Sequence, residues 1–135
     1  MQMRPDQLLR QYQTMGLQGL VESASPHDLI RMLLDGCLER VAVARGQMAQ
    51  KDFAGKGASI SKAITIIEGL RTSLNKDVGG DVAQNLESLY DYMNRQLLIA
   101  NATNDAQPLT EVEGLLAQIR EAWVAIGPDV SKKAS

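Results

Sequence analysis

Apolar residues recur along this chain in four runs with the period of a helix. From Pro26 to about Gln50, Ile30, Leu34, Cys37, Val41, Ala44 and Met48 follow one another at spacings of 4, 3, 4, 3 and 4. That alternation is the inward seam of a helix packed in a bundle. Leu29 and Leu33 widen it. A second run places Ile60, Ile64, Ile67, Leu70 and Leu74 on one side, flanked by Ala63 and Ile66. In a third, Leu86, Tyr90, Met93, Leu97 and Ala100 repeat at 4, 3, 4 and 3, with Val82 and Leu89 beside them. The fourth comprises Leu109, Val112, Leu116, Ile119, Trp123 and Ile126. No segment alternates with period two for long enough to be a strand.

The polar stretches between the runs read as helix ends. Ser25 is a good N-cap, Pro26 suits the first helical position, and Asp28 places negative charge at the positive end of the helix dipole. Lys51-Asp52 leaves room only for a tight reversal, after which Gly55 and Gly57 weaken a first turn or admit a close neighbour. Lys76 to Gly80 ends in paired glycines and predicts a break, with Asp81 placed to cap the third helix. Pro108 opens the fourth helix as Pro26 opens the first, and Gly127-Pro128 closes it. The expected fold is all-α, an antiparallel up-down four-helix bundle over residues 25–127. An N-terminal apolar arm or short helix (1–24) precedes it, and a polar tail (128–135), expected to fray, follows.

Composition narrows the function by exclusion. Hydrophobic residues make up 44% and aromatics 4% of the 135 residues, so the core is aliphatic. A net charge of -2, with Lys and Arg scattered among acids, supplies no basic face for nucleic acid or an anionic membrane. No run approaches the roughly 20 apolar residues of a membrane helix, and the first 20 residues hold no continuous apolar stretch of the signal-peptide kind. Cys37 is the single cysteine and reads as a buried thiol. The lack of disulfides suits a reducing compartment.

The chemistry that bundles often carry is missing from the pattern. A di-iron site needs inward Glu-x-x-His pairs, but His27 is the one histidine and sits in a first turn, where a surface position is expected. No Cys/His cluster has zinc-ligand spacing. Gly79-Gly80 follows no strand and reads as an interhelical turn, not a phosphate loop. Asp35 with Glu39, and Glu87 with Asp91, are acid pairs of the kind found on solvated helix faces. No metal, cofactor or enzymatic activity is expected. What remains is surface. Tyr92 lies about 200° round its helix from Tyr90, so the two cannot face one core. Tyr92 is either a half-exposed residue lying on Arg or Lys stems or an anchor for a partner helix. Met32 and Met93 suit the core, while Leu33 and Ile66 sit at stripe edges, where grooves between helices begin.

In order and spacing the chain resembles the flagellar secretion chaperones, the FliS family, from about Tyr12 to Trp123. The resemblance is carried by Tyr12, by Ala24-Ser25-Pro26 with Leu29, Met32, Leu33, Asp35 and Gly36, and by Lys62-Ala63 with Ile66, Ile67 and Leu70. It continues through Gly79-Gly80, Asn85-Leu86, Leu89-Tyr90-Asp91-Tyr92-Met93, Leu97 and Asn101. Asn104-Asp105, Glu111-Val112, Leu115-Leu116 and Arg120-Glu121-Ala122-Trp123 complete it. Leu34 departs from the tyrosine usual before Asp35-Gly36, which removes one possible aromatic contact. The resemblance implies a helical bundle that binds the C-terminal segment of flagellin in the cytoplasm. Binding would block premature polymerisation and keep the subunit competent for type III export, with components of the export apparatus as further partners.

Resemblance and stripe edges together mark Tyr12, Met15, Leu29, Met32, Leu33, Ile66, Leu70, Leu89, Tyr90, Tyr92 and Met93 as flagellin-binding residues. Leu8, Leu9, Tyr12 and Met15 fall on one face of a short helix. Such an arm is expected to cover a groove that flagellin later occupies. The same apolar edges could serve a homodimer or larger self-associating bundle, or an adaptor for another secretion substrate.

Overall fold

The computed structural model describes residues 25–74 and 76–134; the arm, with its predicted contacts Tyr12 and Met15, lies outside them. Four helices follow in order: α1 (Pro26–Ala49), α2 (Phe53–Thr72), α3 (Lys76–Thr103) and α4 (Gln107–Ala134). Each packs on its sequence neighbour, and α1 also packs on α4, so the helices close a square with antiparallel neighbours. The described residues form no strand.

The ends are fixed by local chemistry. The Ser25 hydroxyl accepts from the Asp28 N–H at 3.2 Å, with Pro26 opening α1 behind it. Ser25→Ala should therefore lower the unfolding free energy by about 1 kcal/mol, read as a shift in urea midpoint. The reversal into α2 takes three residues, with Lys51 in the left-handed region (φ 60). The Asp52 carboxylate then caps α2 by accepting from the Gly55 N–H at 3.0 Å. A Cβ at Gly55 would lie 2.3 Å from that same carboxylate and 2.6 Å from Gln47 Nε2. Gly55 thus permits the close approach that makes the cap.

The core follows the seams. All six residues of the α1 seam are buried, with Leu29 and Leu33 beside them. On α2, Ile60, Ala63, Ile66, Ile67 and Leu70 are buried, with Leu74 buried just beyond its end, and Ile64 packs at the edge. Cys37 lies fully inside, its thiol donating to the Ala63 carbonyl at 3.6 Å. Burial pushes this thiol up, away from the reactive thiolate.

Five expectations need correction, one of them Ile126, which its spacing places on the fourth seam but which is 39% exposed. Lys76 to Gly79 is helical; the break falls on Gly80 alone, at φ 54 and ψ −128, a conformation glycine adopts without a Cβ clash. Val82 is exposed and Ala83 takes the inward place at the start of α3. Gly127 (φ 75, ψ 172) interrupts α4, but the backbone is helical again to Ala134, where composition predicts fraying. His27 is not a surface residue: it is 8% exposed. Its ring stacks on Trp123, with centroids 5.1 Å apart and planes at 11°. Trp123 Nε1 donates to the His27 carbonyl at 2.9 Å, tying the start of α1 to α4 just before its interruption at Gly127.

Candidate docking faces

The four seams between helices differ in charge. Across α1/α4, Arg45 pairs with Glu113 at 3.3 Å and Arg120 pairs with Asp35. Across α2/α3, Arg71 reaches Glu87 at 3.9 Å, and Asn94 Nδ2 donates to Glu68 at 2.9 Å. Lys56 crosses the same seam, donating to the Asn101 carbonyl at 2.8 Å and to Asn104 Oδ1 at 2.6 Å. Among the described residues no ion pair crosses α1/α2 or α3/α4. The first is bridged by the Ser59 hydroxyl donating to Gln47 Oε1 at 2.7 Å. The second is bridged by the Tyr92 hydroxyl and Gln96 Nε2, which donate to one Glu111 oxygen at 2.8 and 2.9 Å. The two seams that no ion pair crosses lie on opposite sides of the square. A partner helix can cover either without desolvating a crossing ion pair, although on α3/α4 it also covers the Glu111 carboxylate.

The α3/α4 seam carries more accessible apolar surface. Tyr92 and Gln96 opposite Glu111 set an antiparallel register that brings Leu89 level with Leu115 and Val82 level with Ala122. Leu89, Leu115 and Ile119 are partly buried at the core's edge. Val82 is 58%, Ile99 47% and Ile126 39% exposed. Val43 stands beside the α1/α2 seam at 37% exposure, with half-buried Met32 on the same flank of α1. Leu98 and Val124 border the ion-paired seams.

Of the described residues marked from the sequence, Leu29, Leu33, Ile66, Leu70, Tyr90 and Met93 lie in the interior. Met32, Leu89 and Tyr92 are half-buried at seam edges. Tyr92 faces α4, and its bond to Glu111 holds the phenol above its usual range. Sequence reasoning missed Glu111, Gln96, Val82, Ile99 and Ile126 as surface lining. The one signal available was Tyr92 and Gln96 at i, i+4, which share a helix flank. Among the described residues no group of three or more His, Cys, Asp or Glu could hold a metal, and no helix is long and apolar enough to cross a membrane.

A family model described as flagellar protein FliS matches residues 8–130. The flagellar secretion chaperone FliS of Salmonella typhimurium is 48% identical over 128 residues, 94% of this chain and 95% of its own. FliSB of Pseudomonas aeruginosa, also a flagellar secretion chaperone, is 44% identical over 118 residues, 87% and 94% of the two chains. FliS of Bacillus subtilis is 36% identical over 106 residues, 78% of each.

Proposed function

The chain belongs to the FliS family of flagellar secretion chaperones, and on that premise we propose that it binds the C-terminal segment of flagellin in the cytoplasm. Bound there, the segment is held from premature polymerisation and kept competent for type III export. The observation that carries this reading is the family match across nearly the whole bundle. The two seams that no described ion pair crosses support it, because their aliphatic edges suit amphipathic helices with apolar anchors at helical spacing. A segment that folds as it binds loses conformational entropy, so contact on two faces helps to offset that cost.

Light scattering of the purified chain with and without a flagellin C-terminal peptide tests the proposal. A defined complex supports it. A stable oligomer indifferent to the peptide would instead favour a self-associating bundle.

The arm enters as a competitor for the same surface. Its apolar face, Leu8, Leu9, Tyr12 and Met15, would reduce apparent affinity by the fraction of time the groove is covered. Deleting residues 1–18 should tighten peptide binding and lower the solubility of the free chain. Weaker binding after the deletion would make the arm a contributor of contacts.

A further inference from the structure

The α3/α4 seam has one carboxylate among its described residues, and that carboxylate is already oriented. Glu111 Oε1 accepts from both Tyr92 and Gln96. No donor from a described residue meets Oε2. A carboxylate offers about four acceptor sites, so two bonds to one oxygen hold its direction and leave the other oxygen to solvent. Aliphatic side chains stand on either side along the groove, Leu89 and Leu115 towards one end and Ile99 towards the other. A helix lying in this seam covers Glu111. If the helix is apolar at that point, the charge loses its water and gains nothing, which penalises the complex. If it places a cation there, the charge-assisted bond offsets the desolvation, and the preset orientation reduces the ordering cost.

We infer that the α3/α4 seam takes an amphipathic helix whose aliphatic anchors flank a single basic residue, and that Glu111 receives that residue and discriminates against helices lacking it. This rests on the flagellin reading, with the occupant being one helical piece of that segment. The specificity is as much repulsive as attractive, since an unmatched Glu111 weakens every other amphipathic helix that fits the groove.

The test titrates the purified flagellin C-terminal segment into the full-length chain at two salt concentrations. Glu111→Lys should weaken binding at least tenfold. Glu111→Gln should weaken it a few-fold and flatten its salt dependence. Because Glu111 is exposed, both variants should keep the helical circular dichroism and melting of the parent; should Glu111→Lys melt early, Glu111→Gln alone decides. Glu121→Lys, on the exposed outer side of α4, is the control for net charge. Changing each basic residue of the segment to Glu in turn should yield one change whose loss Glu111→Lys restores.

If the parent chain fails to bind the segment, the flagellin reading falls. If the parent binds and Glu111→Lys matches it, or Glu121→Lys weakens binding equally, the inference falls and the flagellin reading stands. It falls likewise if Glu111→Lys acts only by splitting a dimer of the free chain, because the occupant is then a second copy.

Discussion

Trp123→Ala is expected to lower the unfolding free energy by about 3–5 kcal/mol, the range for truncating a buried tryptophan. Trp123 is 8% exposed and closes the end of the bundle where α1 begins, on α4 just before its interruption at Gly127. Two separable contacts are lost. The ring leaves the His27 stack, and the indole N–H leaves the His27 carbonyl. Trp123→Phe keeps most of the ring and deletes the donor, so it should recover most of the loss and leave a deficit of about 1 kcal/mol, the net value of a typical hydrogen bond. Urea denaturation followed by circular dichroism is the measurement, because the chain's single tryptophan disappears in both variants. A loss below 1 kcal/mol for Trp123→Ala would mean that other packing closes this end.

That contact also marks how far the sequence could be read. Trp123 was legible as a seam residue because its spacing from Ile119 and Leu116 continues the alternation. Its partner was not. His27 sits in a first turn, and no periodicity reports that the chain brings back a helix end 96 residues later to cover it. The α1 seam was legible throughout, because an uninterrupted helix keeps its phase. At the start of α3, the alternation carried back from Leu86 by three residues lands on Ala83, while hydrophobicity favours Val82. Register decided, and Ala83 is the buried one.

The docking surface was less legible than the fold for a related reason. Leu33 and Ile66 lie at stripe edges, and edges are expected to face grooves. Yet α1 and α2 approach closely enough for the Cys37 thiol to reach the Ala63 carbonyl, a spacing that small side chains permit. Close approach leaves little edge to expose, and both residues are fully buried. The charge division among the seams depends on which helices are neighbours. Arg45, Glu113, Arg120 and Asp35 are ordinary surface residues until the square closes and α1 meets α4. Exposure and charge complementarity belong to the tertiary arrangement, and a one-dimensional period carries neither.

Lys56→Met is expected to lower stability by about 2 kcal/mol, and the sign depends on two opposing terms. Lys56 is 4% exposed, and no carboxylate is among its described partners. Its ammonium holds the Asn101 carbonyl, in the last turn of α3, and the side chain of Asn104, the left-handed residue just beyond (φ 52). It also lies 5.7 Å from the Phe53 ring centroid. Removing a buried charge recovers desolvation energy, which is why apolar replacements of buried ions are sometimes neutral. Against that, two hydrogen bonds from a charged donor are worth about 1.5–3 kcal/mol each, and a cation at a helix C-terminus adds about 0.3–1 kcal/mol. Asn104 is exposed and can turn to water; the Asn101 carbonyl, half-buried near the end of its helix, has fewer replacements. The loss therefore exceeds the recovery. The effect should be local as well as global, with faster amide exchange in the last turn of α3 and a lower urea midpoint. If Lys56→Met is as stable as the parent, desolvation outweighs the clamp, and α3 ends where it does without help from α2.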